Sequence, residues 1–172
     1  MNATEACIAL NMLPTVGPVR LRRLLEVFHE PQQILAAKRS ELRKVEGIGN
    51  EVADQISNWE STIDLPVELQ RMRDFGATVI TQQSASYPRA LREIHAPPIV
   101  LYVWSELLDR DHHAIGVIGA RRTTHYGTES AKKLAYQLAY AGLTVISGLA
   151  RGIDTAAHQG ALAAKGRTIA VI

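Results

Sequence analysis

Only one cysteine, Cys7, occurs in the 172 residues. A lone thiol excludes an internal disulfide and the thiol-rich ligand sets of structural zinc sites. Lying early in an apolar helical pattern, Cys7 reads as a core residue of a protein kept in a reducing compartment. Aromatic residues make up only 5% of the chain, so the core must be built from Leu, Ile, Val and Ala. No apolar run approaches the roughly 18 residues needed to cross a bilayer, and the N-terminus lacks the basic-then-apolar pattern of a signal peptide. The expectation is a cytoplasmic protein with no membrane partner. Among the six histidines the only grouping is the adjacent pair His112 and His113, which is not ligand spacing, so neither a metal nor a cofactor is expected. There is also no Ser or Cys at a recognisable nucleophile elbow, which argues against covalent catalysis.

What is present is an ordinary globular composition, 47% apolar and 21% charged with a net charge of +2. The charge is uneven. Residues 1–62 hold seven Lys/Arg against eight Asp/Glu, whereas residues 112–172 hold seven Lys/Arg against only Glu129 and Asp154. A basic last third suits a phosphate-bearing partner, or is simply a solvated surface.

Two kinds of pattern divide the chain. In residues 1–62 apolar positions recur at three- and four-residue spacing, as in Leu21, Leu24, Leu25 and Phe28, which predicts helices. Two helix–turn–helix units follow one another. The first turns at Val16-Gly17-Pro18, where Gly17 is free to take a positive φ and Pro18 suits a first helical turn. The second turns at Gly47-Ile48-Gly49 and matches a helix-hairpin-helix motif, whose glycines allow close backbone approach and whose next helix offers N–H groups to a phosphate. Gly47, Ile48 and Gly49 are therefore a secondary candidate for nucleic-acid contact, the alternative being plain scaffolding. Residues 61–66 read as a linker. Beyond it, strands are predicted at 77–81, 99–103, 114–118, 144–147 and 168–172, and helices at 67–75, 128–141 and 155–164, which is the pattern of a parallel sheet with helices on its faces. The last strand reads as a central buried one, so the expectation is a piece of a longer protein with part of that strand's apolar face bare.

Function concentrates in two loops at strand carboxyl ends, where ligands of open α/β sheets sit. The first, Gly119-Ala120-Arg121-Arg122, fits neither a dinucleotide fingerprint nor a P-loop. Instead a tight turn is followed by two arginines, whose rigid donor forks suit phosphate oxygens. The second runs Ser147-Gly148-Leu149-Ala150-Arg151-Gly152-Ile153-Asp154. There Gly148 and Gly152 let the backbone curl, the helix starting near Thr155 offers bare N–H groups, and Arg151 adds charge of secondary weight. Asp154 stands where an N-cap belongs. His158, one turn later on the same face, reads as an orienting residue beside it, with acid–base catalysis as the weaker alternative.

The second loop, followed by His158, Gly160, Ala161 and Leu162, resembles the hallmark of the DprA/Smf (DNA-processing protein A) family. So do Tyr87-Pro88 with Leu91, Pro97-Pro98 with Leu101-Tyr102, and Gly119-Ala120-Arg121 leading to Tyr126-Gly127, although the family more often has Ser or Thr at position 120. The resemblance implies a Rossmann-like α/β domain over residues 63–172, a parallel sheet incomplete at its C-terminal side. It is preceded by an all-helical accessory domain of helix-hairpin-helix type over residues 1–62. It also implies single-stranded DNA binding in a basic pocket, homodimers, loading of the RecA recombinase in natural transformation, and no enzymatic activity. Arg121 carries over as a pocket arginine, with Gly119, Ser147, Gly148 and Gly152 as backbone contributors; Arg122 and Arg151 are added from charge and position. Two alternatives stay open: a sensor binding a small nucleotide in the same loops, and a phosphoribohydrolase-like enzyme on a related fold, whose Pro-Gly-Gly-x-Gly-Thr loop is not found here.

Overall fold

In the computed structural model, which describes residues 1–172, the first helix starts from a reciprocal cap. The Asn2 side chain accepts from the Glu5 N–H at 2.9 Å while the Glu5 carboxylate accepts from the Asn2 N–H at 2.9 Å. This satisfies two donors that helix ends otherwise leave open. The helix, α1 (Ala3–Met12), buries five consecutive residues, Ala6 to Leu10. It is therefore enclosed on all sides and not an amphipathic surface helix. Around it run α2 (Pro18–Phe28), α3 (Pro31–Ala36), α4 (Arg39–Leu42), α5 (Asn50–Ser57), α6 (Trp59–Thr62) and α7 (Leu65–Phe75). Cys7 is 5% exposed within this core, and burial, with the nearby Glu30 charge adding to it, pushes its thiol up to about 11. It is a packing residue, as its sequence setting indicates.

The two hairpins are present but differ in detail from expectation. Gly17 is the N-cap of α2 at φ −86°, so the first turn needs no positive φ. Gly47 does take one, +81°, and Gly49 caps α5. Ile48 is 5% exposed, buried in the core, and anchors the second turn. The two units are cross-tied where the Thr15 hydroxyl donates to the Gln55 side chain at 2.7 Å. The expected linker at 61–66 is instead the end of α6 and the start of α7. The Asp64 side chain caps α7 by accepting from the Val67 N–H at 3.0 Å, and Leu65 is buried.

The strands do not join one parallel sheet. β1 (Ala77–Thr81) pairs antiparallel with β2 (Val100–Trp104), Ala77 opposite Trp104. The only helix between them, α8 (Arg89–Arg92), has four residues, too short for the crossover that parallel pairing needs. The connection is held by polar groups. The Gln82 amide donates to the Pro97 carbonyl at 2.8 Å, and the Tyr87 hydroxyl to the Pro98 carbonyl at 2.8 Å. Because this pair packs with the helices, Ile99 and Val100 sharing their core, the compact units are Met1–Glu106 and Leu107–Ile172. The change of sequence pattern near residue 62 lies well before that division.

The second unit is the parallel part: β3 (Ala114–Gly116), α9 (His125–Tyr140), β4 (Thr144–Ser147), α10 (Ile153–Ala163) and β5 (Thr168–Ala170), with strand order β3-β4-β5. The sequence pattern predicts helices on the sheet's faces without saying how they divide between them. In the structure α9 and α10 share one cluster with Val117 and Val145 on a single face. Two successive right-handed crossovers that advance in the same direction must fall on the same side. The helices touch through small residues. Ala135, Ala157 and Ala161 are fully buried, and a Cβ on Gly160 would strike the Lys132 carbonyl. Gly142 (φ +89°) ends α9, whereas α10 is followed by a left-handed Lys165 (φ +54°). No helix in the chain is long and apolar enough to cross a membrane.

A polar clamp closes the amino end of this sheet. Asp111, in a short 3-10 turn (Asp109–His112), accepts from Arg167 at 2.6 Å and 2.8 Å, from the Thr144 hydroxyl at 2.8 Å and from the Leu108 N–H at 2.8 Å. Burial raises the Asp111 carboxyl, but these bonds outweigh it and hold the group below its ordinary value of 3.8. Asp111→Ala should cost about 3 kcal/mol by removing the paired carboxylate from the mostly buried Arg167 guanidinium. A depressed folded value means the carboxylate's contribution is complete above about pH 4 and is lost as pH falls through that lower value. Denaturation midpoints of wild type and variant should therefore lie apart at pH 7 and draw together as pH falls well below about 4, and a gap independent of pH would refute the clamp.

Candidate nucleic-acid interface

The two candidate loops lie side by side because their strands do. β3 and β4 pair with Gly116 opposite Ile146, so both loops leave the same end of the sheet. Ser147 joins the strand ends: its hydroxyl donates to the Val117 carbonyl at 2.7 Å. The residue is only 2% exposed, so Ser147 is a brace beneath the site and not part of its surface.

Above it the loops interlock. Gly152 adopts φ +87°, and a Cβ there would collide with the Ala120 carbonyl and come within 2.7 Å of the Arg121 carbonyl. Only glycine meets both demands. The Ile153 N–H donates to the Ala120 carbonyl at 3.3 Å, and the Ile153 side chain fills the space a Cβ on Gly119 would need, its Cγ1 at 2.7 Å. Gly119 and Gly152 thus let the loops touch; contact with a ligand is not what their geometry requires of them.

This contact changes which groups remain for an anion. The helix following the second loop starts at Ile153, with Gly152 as its N-cap. Two of its first three N–H groups are already used, Ile153 on Ala120 and Thr155 on the Ala150 carbonyl at 3.1 Å. Asp154 is not the N-cap but the second helical residue, 7% exposed. Its carboxylate lies under Gly148, 2.9 Å from where a Cβ would stand, and accepts weakly from the Ala150 N–H at 3.4 Å. A buried carboxylate therefore faces the positive helix end. The expected cradle of bare backbone donors is largely filled by the protein's own oxygens.

The arginines remain. Arg121, Arg122 and Arg151 are exposed, and none takes part in a side-chain hydrogen bond or ion pair; the Asp111 carboxylate is engaged by Arg167 instead. Arg121 and Arg151 flank the Gly152 contact, so the interlock gathers them into one cationic patch. His158 does not meet Asp154. Its Nδ1 lies 2.7 Å from the Thr168 hydroxyl, which donates to the Val145 carbonyl at 2.8 Å. Thr168 therefore accepts from Nδ1–H, and His158 ties α10 to β4 and β5. One feature escaped the sequence reading: Leu149 sits at φ +57° and is 57% exposed at the loop tip. A strained non-glycine residue there has no local sequence signature, because its φ is imposed by the bonds on either side.

In the other unit, Gly47, Ile48 and Gly49 present a different surface. The α5 N-terminus has no side-chain cap, so its first N–H groups remain open. Arg23 lies over the turn, donating to the Glu46 carbonyl at 3.2 Å.

Comparison with known proteins places these observations. Residues 78–172 match the family model described as DNA recombination-mediator protein A, and residues 8–58 match a SAM-like helix-hairpin-helix tandem. Protein Smf of Synechocystis is 33% identical over 96% of this chain and 42% of its own length. The DNA processing protein DprA of Bacillus subtilis is 38% identical over 63% of this chain and 37% of its own. The crystal structure of DNA processing protein A from Streptococcus pneumoniae superimposes with a TM-score of 0.73 at 26% identity, covering 100% of this chain and 58% of that one. The chain thus spans less than half the length of these curated relatives.

The interlock and the arginines should separate cleanly on mutation. Gly152→Ala should lower stability by about 1–3 kcal/mol through its strained φ alone, with more from the displaced carbonyls. Arg151→Ala, having no partner to lose, should stay within about 0.5 kcal/mol of wild type. Chemical denaturation of both variants checks this, and a neutral Gly152→Ala would mean the loops are not locked together.

Proposed function

The chain belongs to the DNA recombination-mediator protein A family, a DNA-processing family, and on that premise we propose that it binds single-stranded DNA through Arg121, Arg122 and Arg151 as a non-catalytic mediator of recombination. The observation that carries this reading is the pair of exposed, unpaired arginines on either side of the Gly152 contact, Arg121 and Arg151, with the exposed and unpaired Arg122 next in the chain. A guanidinium without an internal partner on a glycine-locked loop suits the phosphate backbone. Gly119, Gly148 and Gly152 act by shaping the loops, and Ser147 by bracing them. Gly47, Ile48 and Gly49 are a secondary contact, through the open α5 N-terminus and not the buried Ile48 side chain.

Absence of catalysis is part of the proposal. It is supported by the fate of the two residues best suited to acid–base work: Asp154 accepts from the Ala150 N–H and His158 holds Thr168. Work in the cytoplasm, homodimer formation and loading of the RecA recombinase during natural transformation belong to the same proposal for the whole protein, on the strength of the family resemblance.

The test is fluorescence anisotropy with oligothymidine across a range of salt. Arg121→Ala should weaken binding by about 1.5–3 kcal/mol, the scale of a charged hydrogen bond. It should also flatten the slope of log K against log salt by about 0.7 for one phosphate contact. Arg151→Ala should do comparable damage, because its loop's backbone donors are committed internally. Unchanged affinity in folded variants, or tighter binding of a mononucleotide than of the oligomer, would refute the reading.

A further inference from the structure

In a chain so poor in aromatics, three of the five tyrosines lie on α9, and they are turned outward. Tyr126 and Tyr140 are 81% and 78% exposed, and Tyr136 is 42% exposed. The opposite face of the helix holds Ala131, Ala135 and Ala139, all buried, so the tyrosines are not surplus core. At 3.6 residues per turn, Tyr126, Lys133 and Tyr140 fall seven apart on one line along the helix, with Tyr136 beside it. The Tyr136 and Tyr140 rings already stack, their centroids 6.1 Å apart and their planes within 7°.

The rest of this face is exposed Lys132, Lys133 and Gln137, with Glu129 as its one acid. Neither lysine has an ion-pair partner; the ion pairs of the chain use other residues. The stripe begins four residues after Arg122 and is continuous with the arginine loop. Exposed rings alternating with lysines and running on from a cationic patch match how sequence-tolerant single-strand binders work: bases stack on aromatic faces while cations follow the phosphates. From Tyr126 to Tyr140 the line is about 21 Å long at 1.5 Å per residue, room for about six bases at a stacked rise of 3.4 Å.

We propose that the outer face of α9, carried by Tyr126, Tyr136 and Tyr140 with Lys132 and Lys133, is a base-stacking track for the strand whose phosphates the arginine loops hold. This rests on the single-strand reading above and adds what the loops lack, a means of preferring unpaired bases. A duplex hides its base faces, so the track accepts only a single strand.

The experiment compares three ligands on the purified protein: a 4-nucleotide oligothymidine, a 20-nucleotide one, and a 20-nucleotide abasic strand of equal charge. The double variant Tyr136→Ala/Tyr140→Ala should bind the long oligothymidine about fivefold or more weakly, the lower end for loss of stacking on one base. It should bind the short oligomer and the abasic strand as wild type does, and keep the wild-type salt slope. Tyr136→Phe/Tyr140→Phe should restore binding, because the ring and not the hydroxyl stacks. Tyr140→Ala alone, at a mostly exposed position, gives the same readout if the double variant melts early. Wild-type affinity for the long oligothymidine, or an equal loss on the abasic strand, overturns the track. So does a variant that loses only self-association in sedimentation, which would make the stripe a protein contact. Arg121→Ala run in parallel separates the two ideas: if it is weakened on all three ligands while the tyrosine variants are not, the track alone fails. If it binds all three normally, the arginine reading fails.

Discussion

The approach of Gly152 to the carbonyls of Ala120 and Arg121 is the constraint on which the functional end of the molecule depends. It requires a positive φ and the absence of a Cβ at the same residue. Once it forms, it places Ile153 under Gly119, commits the first N–H groups of α10, and brings the arginines of two loops to one patch. The consequence for recognition is a shift of task. A helix N-terminus with open donors holds an anion by its backbone; here oxygens of the protein fill that role, with the Asp154 carboxylate close by. In the proposed reading, attraction for a phosphate falls to guanidinium groups carried on a rigid base, an arrangement suited to contact with a chain of phosphates more than to capture of a single one.

The remainder of the second unit keeps that end in place by two other devices. At the amino end of the sheet, Asp111 gathers Arg167, Thr144 and Leu108 around one carboxylate and so ties the approach to β3 with β4 and β5. Between the ends, Gly160 and the small residues of α9 and α10 let two helix backbones pack almost in contact. A narrow interface of this kind tolerates little sliding, because each side chain is too short to adapt. The outer face of α9 is thereby fixed relative to the loop that precedes it, as the proposed base-stacking track requires.

The helical unit shows a different balance. Its core is aliphatic and closes around α1, whose Ala6–Leu10 run is buried without interruption. The β1–β2 pair is held onto it by apolar packing at Ile99 and Val100 and by polar ties from Gln82 and Tyr87 to the Pro97 and Pro98 carbonyls. The Tyr87-Pro88 and Pro97-Pro98 strings that contribute to the family resemblance are therefore structural, and each has a defined partner.

Local rules settled much of this protein in advance. Apolar spacing placed the helices, β1 and β4 fell where the strand pattern put them, and glycines beside arginines at strand ends singled out two loops that the sheet brings to the same end. These features depend on a residue and its near neighbours, so the sequence carries them directly. What required the tertiary structure was every question of which group meets which. Antiparallel pairing of β1 with β2, both helices on one face, the burial of Ser147 and the displacement of Asp154 from the cap all depend on contacts between distant segments. So do Thr168 as the partner of His158 and the left-handed φ of Leu149. A backbone donor at a helix start looks free in sequence. Only the arrival of the Ala120 carbonyl, more than thirty residues earlier in the chain, decides that it is occupied, and that arrival is possible because residue 152 has no side chain.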